Sequence, residues 1–182
     1  MKNNKQQAFT ILELLIVMAI IAILVMIGLG VFGTVREKAR DGKRKQDLTA
    51  IGRALEMYYN DKGRYPASAT GYILGCGQDA NQGCLWGGVF QNTSNGTLYM
   101  GEIPQDPKGY QYYYSSDSSG TSYYLFAYLE NPKDPQAAMS GSGGETFYLN
   151  TACKVESGTA VTNSCNYVLM SSNISSLPAT VD

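Results

Sequence analysis

The chain has 182 residues, which is enough for one globular domain with an accessory segment and too few for two ordinary domains. It contains no histidine, which excludes histidine triads, histidine general bases and histidine metal sites, and we expect no enzymatic activity. Charge is segregated: residues 36–64 hold nine basic and five acidic side chains, whereas residues 65–182 hold three basic and nine acidic ones. The acidic C-terminal part would repel the phosphates of nucleic acid, so we do not expect nucleic acid as a partner.

The N-terminus combines a basic leader with a long apolar run. Residues 1–8, MKNNKQQA, are polar, and residues 14–33 form a run of 20 residues without a side-chain charge or amide. At 1.5 Å per residue, such a helix spans roughly 30 Å of hydrocarbon. We therefore predict a membrane-embedded helix over residues 9–35. An ordinary cleaved secretory signal fits less well, because no clear small-x-small site follows the run.

Glu13 stands near the start of the apolar run. An unpaired carboxylate inside a membrane helix costs about 2.5 kcal/mol or more, so such a residue is a candidate functional group. The alternative is that Glu13 lies at the level of the lipid headgroups.

Residues 36–66 change to an amphipathic helical pattern. The apolar positions recur every three or four residues, with charged positions between them: Leu48, Ile51, Leu55 and Tyr58 alternate with Lys45, Asp47, Arg53 and Glu56. We predict one helix from Phe9 to Tyr59, with Gly63 as its C-cap. The basic side chains form a solvated face, or they meet phospholipid headgroups or a neighbouring subunit.

Four cysteines form two close pairs in the remaining segment, residues 67–182. Neither Cys76 with Cys84 nor Cys153 with Cys165 has a zinc-like spacing. Three disulfide pairings are possible, and we expect the local one because it closes two short loops; four reduced thiols are the alternative. Two disulfides would place this segment in an oxidising compartment.

The same segment carries the signals of an antiparallel sheet. After a long loop over residues 67–98, Tyr110–Tyr114 and Ser122–Leu129 flank the turn sequence SDSSG and predict a hairpin. Its alternation puts Tyr124, Phe126 and Tyr128 on one face, and Leu125, Ala127 and Leu129 on the other. Further strands are predicted around residues 146–149 and 166–170.

Oxygen ligands for a cation are present but not in a recognised order. Asp106, Asp117, Asn131 and Asp134 lie near loops, and their spacing matches no EF-hand. We expect neither a metal nor a cofactor.

The segment AFTILEL, Ala8 to Leu14, lies between the basic leader and the apolar helix. It resembles the class III signal of type IV pilins and of type II secretion pseudopilins, with Ala8 where glycine is usual. The resemblance implies cleavage between Ala8 and Phe9 by prepilin peptidase and N-methylation of Phe9. Glu13 then becomes the fifth residue of the mature chain.

Two later segments, YYNDKGRYP and IPQDPKGYQYYY, are also similar to this family, so that the resemblance covers residues 1–66 and 103–130. It implies a pilin-like α+β fold, in which a long N-terminal helix, half membrane-embedded and half amphipathic, packs on a small antiparallel sheet. We find no match to the C-terminal calcium-binding segment of the major pseudopilins, and this favours a pilus over a secretion filament.

The sequence thus predicts a structural subunit of a type IV pilus-like filament. The alternatives are a type II secretion pseudopilin and a signal-anchored exported protein of unrelated function. Expected partners are copies of the chain in a helical filament, prepilin peptidase, the inner-membrane assembly platform and, before assembly, membrane lipid. In the filament, Glu13 would neutralise the terminal amine of Phe9 and so set the register between neighbours.

The expected location is the cytoplasmic membrane, with residues 67–182, the globular head, outside, and afterwards an extracellular or periplasmic filament. One count opposes this topology: Lys2 and Lys5 precede the apolar run, whereas six basic residues follow it within residues 36–45. The positive-inside rule would put the more basic flank, residues 36–45, in the cytoplasm. The prepilin-like signal and the paired cysteines favour the opposite orientation.

Overall fold

The computed structural model describes residues 9–29, 32–76, 82–92, 95–137, 139–140, 144–145, 153–156, 159–161 and 165–174. It has two helices, α1 (Ile11–Leu29) and α2 (Phe32–Lys62). The chain divides into two compact units, Met1–Glu37 and Lys38–Asp182, with the boundary inside α2. The leader and the junction at residues 30–31 lie outside the described residues, so the continuity of the predicted helix stays a prediction.

Helix α2 extends past the predicted end at Tyr59 to Lys62. The N–H of Gly63 then donates to the Tyr59 carbonyl at 2.7 Å and closes the last turn, as expected of a C-cap.

All paired strands among the described residues are short and antiparallel. In chain order they are β1 (Ser68–Ala69), β2 (Tyr72–Ile73), β3 (Phe90–Gln91), β4 (Leu98–Met100), β5 (Tyr113–Ser116), β6 (Tyr123–Ala127), β7 (Met139–Ser140), β8 (Gly144–Glu145), β9 (Lys154–Glu156), β10 (Thr159–Val161) and β11 (Tyr167–Met170). The main sheet has the order β11-β6-β5, and the other strands pair as hairpins. The predicted strand around residues 166–170 is confirmed, whereas that around 146–149 falls outside the described residues.

The predicted apolar stripe of α2 forms one side of the core. Leu48, Ile51 and Leu55 are fully buried, and Tyr58 packs against them. Gly52 lies close to side chains of the sheet, since an added Cβ would lie 3.0 Å from the Tyr123 hydroxyl and 3.3 Å from Leu169 Cδ2. A larger residue at position 52 would require the side chains of Tyr123 and Leu169 to shift.

Strand β6 separates two apolar clusters, as its alternation predicts. Leu125, Ala127 and Leu129 face the core that contains α2. Phe126 lies on the opposite face, against Cys153 and Cys165. The sheet is therefore covered on both faces, and the predicted α+β pilin-like architecture of helix on antiparallel sheet is confirmed.

Two local predictions were wrong. The segment 67–98 is not simply a loop, since β1 pairs with β2 and β3 with β4. Strands of two or three residues are too short to show alternation in sequence. Residues 110–112 are not part of the hairpin, which begins at Tyr113. The Asp106 carboxylate instead accepts the backbone N–H groups of Lys108 and Tyr110 at 2.8 and 3.3 Å and holds this segment in a turn.

Candidate functional site: the N-terminal helix and the arginine cluster

Helix α1 begins with a reciprocal cap formed by Thr10 and Glu13. The Thr10 N–H and hydroxyl each donate to Glu13 Oε2 at 3.0 Å, and the Glu13 N–H donates back to Thr10 Oγ1 at 3.2 Å. This Thr-x-x-Glu pattern is a capping box, which satisfies backbone donors that the first helical turn leaves free. The carboxylate predicted to act in assembly thus also fixes the start of the helix.

The predicted cleavage site lies directly before this cap. Ala8 is outside the described residues, whereas Phe9 is 87% exposed. The predicted methylated residue is therefore accessible at the end of the helix.

The surface of α1 is apolar on every side. All described side chains from residue 9 to residue 26 are exposed, among them Ile11 at 86% and Met26 at 79%. Exposed apolar surface of this extent marks a site of contact with protein or lipid. In the described part of the chain, no helix combines the length and apolarity needed to cross a membrane. Insertion of residues 9–35 stays a prediction.

The basic segment of α2 contributes a buried ionic cluster, which we call the arginine cluster: Arg44, Asp41, Asp106 and Glu130. The Arg44 side chain has no exposed surface. Its Nη1 lies 2.7 Å from Asp41 Oδ1 and 2.8 Å from Glu130 Oε1, and its Nη2 lies 3.1 Å from Asp106 Oδ1. One guanidinium thus joins α2 to the segments that contain Asp106 and Glu130.

Surrounding groups complete the arginine cluster. Asp41 accepts the backbone N–H groups of Glu130 and Asn131 at 2.9 and 2.8 Å. Glu130 also pairs with Arg40 at 2.6 Å and with Lys108 at 3.1 Å. Among the described residues, every buried side-chain nitrogen and oxygen has a hydrogen-bond partner. Complete pairing is what makes such a buried charge tolerable.

The electrostatics of the arginine cluster favour the charged forms of Arg44 and Glu130. Burial alone would lower the pKa of Arg44, but the hydrogen bond and charge of Asp106, with Glu130 and Asp41, raise that pKa above its ordinary value. The hydrogen bond from Arg40 is the largest influence on Glu130 and, with Arg44 and Lys108, outweighs burial and lowers its pKa from 4.5 to about 2. Arg44 and Glu130 are therefore charged in the folded protein across the physiological pH range.

The carboxylates weighed as cation ligands are not brought together. Asp106 binds Arg44, and Asp134 binds Lys45 at 2.7 Å. Asp117 accepts hydrogen bonds from Thr121 and Ser122 within its own turn. Within the described ranges, no group of three or more His, Cys, Asp or Glu side chains is arranged to hold a metal.

Both predicted disulfides are formed, Cys76–Cys84 and Cys153–Cys165. The first closes the segment before β3, and the second covers Phe126 on the sheet. All four candidate cysteines are therefore structural.

Sequence reasoning missed two features of this region. The Thr10 cap was readable, because Thr-x-x-Glu before an apolar run is a helix-start signature. The burial of Arg44 could not have been predicted, because Arg44 lies in a run of basic residues that is typical of a solvated helix face. Only the long-range partners Asp106 and Glu130 distinguish it from its neighbours.

Two family models match consecutive parts of the chain. One, described as "Prokaryotic N-terminal methylation motif", covers residues 3–29. The other, described as "Type II secretion system (T2SS), protein G", covers residues 31–138, more than half of the chain. The chain belongs to the type II secretion system protein G family. The predicted membership of the type IV pilin and pseudopilin class is confirmed.

Individual relatives support membership of this family. The type II secretion system core protein G of Aeromonas hydrophila is 30% identical over 112 residues, which cover 62% of this chain and 74% of the relative. The protein of the same name from Pseudomonas aeruginosa is 26% identical over 127 residues, 70% of this chain and 85% of the relative. A "Prepilin peptidase-dependent protein A" from Clostridium perfringens is 41% identical over 56 residues, 31% of this chain and 40% of the relative. No solved structure matches the chain.

These relatives bear on the choice between the two filament types. Their names support the secretion pseudopilin better than the type IV pilus that the sequence analysis preferred.

Proposed function

We propose that this chain is a pseudopilin, a non-catalytic structural subunit of a type II secretion filament. The observation that carries the proposal is the order of the two family matches, with the methylation motif over residues 3–29 followed by the protein G match over residues 31–138. A signal for processing thus precedes a head related to secretion core proteins.

Processing would occur between Ala8 and Phe9. Prepilin peptidase cuts there and Phe9 is methylated, which agrees with the methylation motif and with the name of the Clostridium perfringens relative. The cap by Thr10 and Glu13 starts α1 directly after the cut. The new amine is then one helical turn from the Glu13 carboxylate.

Assembly would use the exposed apolar surface of α1. Before assembly, lipid of the cytoplasmic membrane covers this surface, and afterwards neighbouring copies do so. Glu13 then pairs with the Phe9 amine of a neighbour, since either charge alone would be costly in an apolar filament core. The disulfides support a head outside the cytoplasm, where the inner-membrane assembly platform adds subunits to a periplasmic filament.

A type IV pilus subunit is the second candidate. The name of the Clostridium perfringens relative specifies dependence on prepilin peptidase and does not mention secretion. A surface filament that contains this chain, in cells whose protein secretion is independent of it, would favour the pilus.

The assembly experiment compares Glu13→Ala with Glu102→Ala, an exposed glutamate of the head. Both variants are expressed in cells that lack the native gene. Sheared filament, membrane-bound subunit and secreted protein are measured by immunoblot. We expect Glu13→Ala to leave membrane-bound subunits but few or no filaments and little secretion, and Glu102→Ala to resemble the unaltered chain. Normal filament yield from Glu13→Ala would contradict the docking role.

A further inference from the structure

A cleft of about 340 Å³ lies on the head, away from α1 in sequence. Its wall is formed by β2, by the turn after Cys84 and by the segment after Ile103; the lining side chains that matter here are Tyr72, Leu85, Trp86, Gln105, Tyr110 and Gln111. The volume is at the lower end of the range of small-molecule sites. The proposed filament function uses none of these side chains.

Two aromatic rings, those of Tyr72 and Trp86, line this cleft, which we call the aromatic cleft. The rings of Tyr72 and Trp86 are half-buried, with centroids 6.1 Å apart and planes tilted by 32°. Trp86 also packs edge-on against the buried ring of Tyr112 at 5.7 Å. Leu85, which also belongs to the lining, is 71% exposed. The indole is therefore held in place while part of its surface remains in contact with solvent.

The position of Trp86 is fixed by its backbone as well. Gln105 Nε2 donates to the Trp86 carbonyl at 2.8 Å, and the Gly87 N–H donates to the Ile103 carbonyl at 2.7 Å. Gly87 has a φ of +86°, and a Cβ there would clash with the Gln105 amide. Because the Nε2 of Gln105 is engaged, its Oε1 is the atom of that amide left to accept a ligand hydrogen bond.

The charges around the aromatic cleft disfavour an ionic ligand. Asp106, the carboxylate in the lining, is bound by Arg44, and its side chain is 1% exposed. Arg44 and Lys108 lie 5.3 and 5.4 Å from the centre of the Tyr110 ring. Both cations are paired with carboxylates, so the lining offers no uncompensated charge for a cationic or an anionic ligand.

Apart from these paired charges, the lining offers aromatic rings beside the neutral side-chain amides of Gln105 and Gln111. We propose that the aromatic cleft binds a neutral saccharide. The C–H face of a pyranose packs on Trp86 and Tyr72, and its hydroxyl groups bond to the amides of Gln105 and Gln111. A proline-rich peptide also packs on aromatic side chains, but it requires an extended groove rather than a compact cleft.

The test uses the fluorescence of Trp86, the single tryptophan of the chain. The full chain, in micelles of a polyoxyethylene detergent that contains no sugar, is titrated with cellobiose, maltose or diacetylchitobiose. We expect a saturable change of emission with at least one of them. Gln111→Ala should weaken that saccharide about fivefold, as loss of one neutral hydrogen bond predicts. Gln91→Ala, an exposed glutamine outside the cleft, should leave its affinity unchanged.

Three results would overturn the proposal. The first is that none of the disaccharides changes the emission. The second is equal affinity in Gln111→Ala and the unaltered chain. The third is saturable binding of a proline-rich peptide that the disaccharides do not displace. Filament yield is not part of the readout, so failure here is distinct from failure of the pseudopilin function.

Discussion

Replacement of Arg44 by methionine removes the guanidinium on which the arginine cluster depends. Methionine retains the unbranched stem and a good helix propensity, so that the change is mainly electrostatic. After the substitution Glu130 keeps Arg40 and Lys108, and Asp41 keeps two backbone donors. Asp106, 1% exposed at its side chain, loses its charged partner, and its remaining donors among the described residues are the backbone N–H groups of Lys108 and Tyr110.

The expected loss of unfolding free energy is about 3–5 kcal/mol, because one partner of a buried pair has been removed. For a chain of this size each kcal/mol lowers Tm by about 2–4 °C, so we expect a decrease of roughly 6–20 °C. Denaturant unfolding is followed by Trp86 fluorescence, since Trp86 packs against the core. Arg53→Met, an exposed arginine on the same helix, should change the unfolding free energy by about 0.5 kcal/mol or less.

A double variant separates charge from packing. Arg44→Met combined with Asp106→Asn removes the charge of Asp106 together with its cation, while Asp41 keeps its two backbone donors, and the double variant should recover part of the lost stability. The reasoning is refuted if Arg44→Met costs less than about 1 kcal/mol, or no more than Arg53→Met.

Two further predictions concern the disulfides and acid. Replacing either cysteine pair by alanines should lower the unfolding free energy by about 2–3 kcal/mol. The loss should be larger for Cys153→Ala/Cys165→Ala, because these sulfurs also cover Phe126. Equal melting temperatures of the two double variants and the unaltered chain would contradict this prediction. The pKa of Glu130 is lowered from 4.5 to about 2 in the folded head, so its contribution is complete above pH 4.5 and is lost as pH falls towards 2. Urea midpoints measured over this range should fall less steeply in Glu130→Gln, and an unchanged slope would count against the ion pairs.

The parts of the fold that were predictable have strong local patterns. The stripe of Leu48, Ile51 and Leu55 follows the helical period, and the two faces of β6 follow strict alternation. The local pairing of the cysteines follows from the short loops they close. Each of these patterns is contained within a few consecutive turns or strands.

The unpredicted parts depend on contacts between distant segments. Arg44 is buried because Asp106 and Glu130, far along the chain, meet it. Tyr110 is not part of the hairpin because its backbone N–H donates to the Asp106 carboxylate. The aromatic cleft is likewise assembled from Tyr72, Trp86 and Gln105, which come from separate segments. No periodicity in the sequence marks these residues.

The mass of the mature N-terminal peptide tests the central claim most directly. Membrane or filament fractions of cells that express prepilin peptidase are digested, and the peptide that contains Glu13 is analysed by mass spectrometry. A processed pseudopilin predicts a peptide that begins at Phe9 and carries one added methyl group. A chain that begins at Met1, or one cut near Gly30, would contradict the assignment of residues 1–8 as a leader and of α1 as the assembly helix.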